Sequence, residues 1–228
     1  MTDYDLPSDV DFISARMRMV DTQLSPRGIT DAAVLAAMRT VPRHQFVPDK
    51  SIGEAYGDHP VPIGFGQTIS QPYIVASMTQ EVQIDHKSKV LEVGTGCGYQ
   101  TAVLAEIAGR VLSIEFVPQL LKEANDRLQQ LGYLNITTML GDGALGWPQQ
   151  APFDAIVVTA AAPSIPPALI EQLVVGGRMV IPVASGGSFN QELILVTKTA
   201  EGFTQNTLYG VRFVLLQGSG STGANDSF

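Results

Sequence analysis

The stretch from Val90 to Tyr99 constrains the fold of this chain more than any other. It consists of a short apolar run, glycines at every second position, and then apolar residues at helical spacing. A strand, a glycine turn and a helix together form the first crossover of a doubly wound parallel sheet. Glycine allows the main chain to turn sharply and a ligand to approach it closely. The stretch therefore predicts an α/β fold with a ligand site at the turn.

The spacing of glycines and acids at this turn restricts which class of ligand can bind there. A dinucleotide site uses G-x-G-x-x-G, whereas the third glycine here comes one position early, and no P-loop lysine follows. Glu92 brings a carboxylate to the strand end, where it would repel a phosphate and attract a ligand ammonium group. Glu115 ends the next apolar run 23 residues later, a distance suited to accepting both hydroxyls of a ribose. The pattern predicts S-adenosylmethionine rather than NAD; the simpler alternative is an ordinary strand-to-helix turn.

Composition limits the class of protein. The 228 residues suit one α/β domain, and 45% hydrophobic with 16% charged residues is typical of a globular chain. A net charge of −8 argues against a nucleic-acid backbone as the main partner. A single cysteine excludes an internal disulfide and is typical of a reducing compartment. Aspartates interrupt any signal-peptide pattern near the start, and no apolar run is long enough to span a membrane, so we expect a cytoplasmic protein.

The remaining periodicity predicts the rest of the fold. Helical spacing begins near residue 9 and again after Thr30, which we expect to cap the second helix. A loop rich in proline and glycine spans 51–73, and its length favours a functional role. Another helix is expected to start at Ser70 or Gln71. The other predicted elements are helices over 9–24, 118–131 and 167–173, and strands over 110–115, 136–140, 153–159, 177–183, 192–199 and 203–214.

These elements predict a doubly wound, Rossmann-like sheet that is mostly parallel, with antiparallel strands at its C-terminal end and a helical cap at its N-terminus. We expect one domain over residues 1–217, with a cap and active-site loop over 1–88 and the cofactor-binding sheet over 89–217. Residues 1–8 look frayed, and the composition from Gly218 onward predicts a disordered tail over 218–228.

A further acid follows the strand predicted at 136–140. Asp142 and Gly143 come at the end of that strand, where ligands bind in such sheets. A carboxylate and a backbone amide there would suit an adenine amino group. An ordinary turn aspartate is the alternative, because Asp-Gly is a common turn pair.

Four segments resemble the protein-L-isoaspartate O-methyltransferase family, over roughly residues 14–217. They are V-L-E-V-G-T-G-C-G-Y-Q-T-A-V-L-A, G-Q-T-I-S-Q-P-Y, I-T-D-A-A-V-L-A-A-M-R-T-V-P-R-H-Q-F-V-P and V-R-F-V. The T-I-S-Q-P-Y segment is specific to this family, while the glycine motif marks methyltransferases in general. The resemblance implies methyl transfer from S-adenosylmethionine to the α-carboxylate of L-isoaspartyl residues in damaged proteins and peptides, with S-adenosylhomocysteine as the product.

The resemblance also implies a set of site residues. The family's active-site serine falls on Ser70, whose simpler role would be a helix cap. Substrate contacts fall on Arg212 and Val214; Arg212 would pair with the substrate carboxylate or be a solvated strand residue. Cys97 and Leu215 depart from the family's more usual serine and proline. The implied cofactor-binding residues are Gln67, Thr68, Ile69, Ser70, Glu92, Gly94, Thr95, Gly96, Glu115, Asp142 and Gly143.

The implied chemistry requires no base and no metal. A terminal α-carboxyl has a pKa of about 3.3–3.7, so the substrate is already an anion at neutral pH. We therefore expect structural or solvent-exposed roles for His44, His59 and His86, which show no triad or metal-ligand spacing. Two alternatives remain open: a methyltransferase-like module that binds without turnover, and a methyltransferase that acts on small carboxylates.

Overall fold

A seven-stranded sheet forms the centre of the protein, which a computed structural model describes over residues 9–184 and 190–219. Its strand order is β5-β4-β3-β6-β7-β8-β9, parallel from β5 to β7 and antiparallel from β7 to β9. This order confirms the predicted doubly wound sheet with antiparallel C-terminal strands. The strands are β1 Val61–Gly64, β2 Gln67–Ile69, β3 Lys89–Val93, β4 Arg110–Glu115, β5 Ile136–Leu140, β6 Phe153–Val158, β7 Leu173–Ala184, β8 Gln191–Thr199 and β9 Gly202–Val211.

Six α-helices lie within the described ranges, and they pack on the sheet and at its N-terminal side. The first continues through a wider turn at Val20–Leu24, which accounts for the single long helix predicted there. The second is capped by the Asp31 carboxylate, which accepts from the amides of Ala33 and Val34, and not by Thr30 as predicted. The helices are α1 Asp9–Met19, α2 Ala32–Thr40, α3 Pro72–Glu81, α4 Tyr99–Ala105, α5 Pro118–Gln130 and α6 Pro167–Glu171.

Side chains along the central strands point alternately to the two faces of the sheet, and this divides the core into two clusters. Val90 and Val111 belong to the larger apolar cluster, which includes residues of α2, α3 and α4. Leu91 and Leu112 belong to the second cluster, on the opposite face. Because successive strand residues point to opposite faces, Glu92 lies on the same face as Val90. This parity decides where its carboxylate goes.

The proline- and glycine-rich loop contains a short hairpin that the sequence did not predict. Strands β1 and β2 pair antiparallel. Their turn holds three successive residues at positive φ: Gly64 at 95°, Phe65 at 52° and Gly66 at 72°. Phe65 is a non-glycine residue in this left-handed region, which costs backbone energy.

The two ends of the chain fall partly outside the described residues. The predicted frayed segment 1–8 and residues 220–228 of the predicted tail both lie there. Gly218 and Ser219 are described, and Ser219 donates from its backbone nitrogen to Asp142 at 2.6 Å although the sequence predicted a tail from Gly218. Within 9–184 and 190–219, no helix is long and apolar enough to cross a membrane.

Candidate active site

A cavity lies at the carboxyl ends of β3, β4 and β6. The chain runs from β3 outward to β5 and then returns to β6 on the other side of β3. The strand order therefore reverses between β3 and β6, and a doubly wound sheet binds its ligand at such a switch point.

Most of the predicted site residues line this cavity, but three do not. Glu92, Asp142 and Arg212 lie outside its wall. Residues that the prediction omitted also contribute, among them Tyr99, Thr159 and Leu216. The predicted residues in the wall are Gln67, Thr68, Ile69, Ser70, Gly94, Thr95, Gly96, Glu115, Gly143 and Val214.

Gly94 is the residue at which the glycine turn tolerates no side chain. Its φ is +97°, and a Cβ there would collide with the hydroxyl of Thr159. That hydroxyl donates to the Gly94 carbonyl at 2.7 Å and to the Val93 carbonyl at 3.0 Å. The end of β6 is thus hydrogen-bonded to the turn after β3, and this contact fixes the floor of the cavity.

The Glu115 carboxylate is anchored by backbone amides at the end of β4. Its Oε2 accepts from the Gly96 nitrogen at 2.8 Å, and its Oε1 accepts from the nitrogens of Phe116 and Val117 at 2.9 Å each. The residue is 6% exposed and lines the cavity. A carboxylate offers about four acceptor positions, so this one can accept about one more donor from a ligand.

Glu92 lies behind the cavity wall, on the face that its strand parity dictates. It is fully buried, and its Oε2 accepts from the hydroxyls of Thr101 at 2.5 Å and Ser113 at 2.6 Å. Burial raises the pKa of this carboxyl to about 8, so it is mostly protonated at pH 7. The sequence predicted that an ionised Glu92 would attract a ligand ammonium group, but a buried and mostly neutral carboxyl does not fit that role. Glu92 reaches the cavity only through Ser113, whose Oγ is 2.6 Å from Oγ1 of the cavity residue Thr95.

Asp142 also lies outside the wall, although its neighbour Gly143 is in it. Its Oδ1 accepts from the Ala144 nitrogen, and its Oδ2 accepts from the backbone and side chain of Ser219. Burial opposes ionisation, but these hydrogen bonds outweigh it and lower the pKa of the Asp142 carboxyl. The predicted adenine contact therefore stays a prediction, and in this structure Ser219 already takes one oxygen of Asp142.

Ser70 lies where the cavity meets a second, open groove of about 1670 Å³. Thr68, Thr159 and Val214 share this position at the junction. The helix-cap alternative for Ser70 is not what the structure has: the cap residue of α3 is Gln71, without a side-chain capping bond. Within the described residues, no hydrogen bond occupies the Ser70 hydroxyl, which leaves it available to a ligand.

The groove runs along the segment that follows β9. Arg212 lines it and is exposed, and Glu192 and Gln191 of β8 form the facing part of its wall. Among the described residues Arg212 makes no ion pair. Arg212 thus lies on the groove and not on the cavity, and its contact with a substrate stays a prediction.

His44 and Cys97 have structural surroundings, while His59 and His86 are exposed. His44 stacks on Phe12 with ring centroids 4.0 Å apart, and its Nδ1 is 2.8 Å from the Tyr56 hydroxyl. Cys97 lines the cavity, but burial raises the pKa of its thiol, which disfavours the nucleophilic thiolate. The described residues contain no cluster of three or more potential metal ligands.

Comparison with known proteins agrees with this geometry. The family model for protein-L-isoaspartate(D-aspartate) O-methyltransferase matches residues 15–221. Protein-L-isoaspartate O-methyltransferase 1 of Syntrophobacter fumaroxidans is 56% identical over 209 residues, which cover 92% of this chain and 97% of that protein. The chain belongs to the protein-L-isoaspartate O-methyltransferase family.

Solved structures of the family share the architecture. One protein-L-isoaspartate O-methyltransferase superposes with a TM-score of 0.83 at 27% identity, covering 90% of this chain and 67% of that one. A Plasmodium falciparum member in complex with S-adenosyl-L-homocysteine superposes with a TM-score of 0.75 at 25% identity, covering 89% of this chain and 98% of that one. Family membership thus extends over the cap, the hairpin and the sheet together.

Proposed function

We propose that the protein transfers a methyl group from S-adenosylmethionine to the free α-carboxylate of L-isoaspartyl residues in damaged proteins and peptides, the first step of their repair. S-adenosylhomocysteine is the product. One observation carries this proposal: Ser70 lies where the cavity at the strand ends meets the groove along the segment after β9. A methyltransferase that acts on a polymer needs such a junction between the cofactor and the chain to be modified.

The residues of the cavity fit the cofactor. Its wall combines one anchored carboxylate, Glu115, with close main-chain approach at Gly94, Gly96 and Gly143. A ribose donates hydroxyl groups and needs an acceptor, which Glu115 offers. The cofactor, when bound, supplies an electrophilic methyl group on a sulfonium.

The chain's own contribution is orientation and exclusion of water. The substrate carboxylate is already ionised, so no side chain has to remove a proton from it. The Ser70 hydroxyl donates to one carboxylate oxygen and aims the other at the methyl group. Because burial keeps Glu92 mostly neutral at pH 7, no second anion from the end of β3 repels the incoming carboxylate. A closed, dry site favours a step in which an anion and a cation neutralise each other.

The open groove supports a peptide as the partner, rather than a small free carboxylate. Arg212 places a positive charge on the groove, which also carries Glu192, and it makes no ion pair among the described residues. Val214 reaches the junction beside Ser70. The net charge of −8 speaks against nucleic acid as a substrate. A cytoplasmic location belongs to the same proposal, supported by the single cysteine.

The test is transfer of a labelled methyl group to a pair of peptides that differ only in an isoaspartyl or an aspartyl residue. We expect methyl ester on the isoaspartyl peptide alone. A labelled small carboxylate in the same assay distinguishes the alternative substrate class. If calorimetry shows that the protein binds the cofactor but neither peptide is methylated, only the alternative of a binding module without turnover remains.

A further inference from the structure

Arg43 is a fully buried charged residue that the proposed mechanism leaves without a role. It lies in a short helical turn, Arg43–Phe46, between α2 and the hairpin. Its Nε donates to the Ala55 carbonyl at 2.6 Å, and its Nη2 donates to the Ser70 carbonyl at 2.8 Å. Its Cζ lies 4.8 Å from the centroid of the Tyr99 ring.

The two carbonyls that Arg43 binds lie on either side of the hairpin β1–β2. Ala55 precedes β1, and Ser70 follows β2 directly. One planar guanidinium thus connects both ends of the segment that carries Ser70 to the junction. Only arginine presents two donors in a rigid fork; lysine offers a single charged nitrogen on a flexible stem.

Burial of this guanidinium needs an explanation beyond packing. Within the described residues Arg43 makes no ion pair, and a buried cation without a counter-ion is expensive. An apolar side chain would fill the same space at lower cost. The contacts that an apolar residue would not provide are the hydrogen bonds to the Ala55 and Ser70 carbonyls, which join the two ends of the hairpin segment.

We infer that Arg43 is a positioning residue for methyl transfer: it holds the Ser70 main chain so that the hydroxyl faces the cavity–groove junction. Arg43 itself lines neither the cavity nor the groove and does not touch the ligands. The inference rests on the proposed function, since it concerns the orientation that Ser70 gives to the reacting carboxylate.

The test is a double-mutant cycle between Arg43→Lys and Ser70→Ala in the full-length protein. Arg43→Lys keeps the positive charge and removes the fork. We expect it to lower kcat for an isoaspartyl peptide about ten- to a hundredfold, the range for one oriented hydrogen bond to a charged group. The dissociation constant for S-adenosylmethionine should change less than threefold. In the Ser70→Ala background, the same Arg43→Lys substitution should change kcat less than threefold, because the hydroxyl that it positions is gone.

Phe46→Leu is the matched control. Phe46 packs edge-on against Tyr99 with centroids 5.5 Å apart and is buried, but its side chain has no donor for the Ser70 carbonyl. It should lower the melting temperature and leave kcat unchanged at temperatures where the protein is folded. If Arg43→Lys does not fold, Arg43→Gln replaces it, with an amide that donates to one of the two carbonyls.

Two outcomes overturn the inference. One is a double variant whose loss of kcat equals the product of the losses in the two single variants, which would mean that Arg43 and Ser70 act independently. The other is a folded Arg43 variant with wild-type kcat, which would reduce Arg43 to a stabilising residue. Failure of the wild-type protein to methylate the peptide at all would instead refute the proposed function, so the two failures are distinguishable.

Discussion

Replacement of Glu92 by glutamine should change how the stability of the protein depends on pH. The folded carboxyl is fully buried and accepts only the hydroxyls of Thr101 and Ser113 on one oxygen. Burial raises its pKa from the ordinary 4.5 to about 8. Between these two values the folded protein holds a proton that the unfolded chain has lost. Stability therefore falls as pH rises through this window, because the unfolded state binds fewer protons there.

The magnitude follows from the size of the shift. At 1.36 kcal/mol per pKa unit, a rise from 4.5 to about 8 corresponds to about 5 kcal/mol in full. Part of this stabilisation is already lost at pH 5, and part remains at pH 8. The free energy of unfolding should therefore fall by about 3–4 kcal/mol between pH 5 and pH 8. Glutamine has the same shape and does not titrate. The free energy of unfolding of Glu92→Gln, minus that of the wild type, should therefore increase by this amount from pH 5 to pH 8.

Urea unfolding at constant ionic strength from pH 5 to pH 8, without cofactor, measures this difference. All other titrating groups are common to both proteins and cancel. Glu123→Gln, which removes an exposed carboxyl on α5, should reproduce the wild-type pH dependence. A difference between Glu92→Gln and wild type that stays constant from pH 5 to pH 8 would show that Glu92 is ionised in the folded protein, and would refute the reasoning.

Three further predictions concern the site. Ser70→Ala should lower kcat about ten- to a hundredfold in steady-state methylation of an isoaspartyl peptide, and the rate of Ser70→Thr should lie between those of Ser70→Ala and the wild type. A wild-type rate for Ser70→Ala would mean that backbone amides orient the substrate carboxylate. Glu115→Gln should weaken S-adenosylmethionine about ten- to a hundredfold by calorimetry, and an unchanged dissociation constant would remove Glu115 from the ribose site. Alanine is the poorer test here, since it would leave the amides of Gly96, Phe116 and Val117 without any acceptor, whereas glutamine keeps one acceptor oxygen for them. Cys97→Ser should retain kcat because burial disfavours the thiolate, and loss of turnover with the fold intact would contradict this.

The central strands of the sheet were predictable because they are covered on both faces, whereas the edge strand β5, which has no buried residue, was predictable from its β-branched run. Strands β4 and β5 begin and end where the sequence predicts, at 110–115 and 136–140, since continuous apolar or β-branched runs end there at polar or glycine residues. The hairpin β1–β2 was not predictable. Its turn places Phe65 at a positive φ, and Pro62 interrupts its four-residue first strand, so neither residue type nor alternation indicates a strand.

The site was predictable in its glycines and in Glu115, but not in the directions of its other acids. Sequence position puts Glu92 near a strand end; only the parity of β3 turns it toward α4 and away from the ligand cavity. Asp142 accepts from Ser219, a contact across 77 residues that no local pattern indicates. The contact of Arg43 with Ser70 gives no signal either, because the two residues are 27 positions apart in the chain.

The contacts of Asp142 also bear on how this protein ages. Isoaspartate forms when the nitrogen of the next residue attacks the side-chain carboxyl carbon of an aspartate, and glycine hinders that attack least. Asp142-Gly143 is the only Asp-Gly pair in the sequence. Hydrogen bonds from Ala144 and Ser219 hold this carboxylate in place, and they lower its pKa against the opposing effect of burial. An ionised, immobilised carboxylate is a poor electrophile, so we expect ring closure at residue 142 to be slow while Ser219 stays in contact. We therefore expect the contact between Ser219 and Asp142 to protect this protein from the lesion whose repair it starts in others.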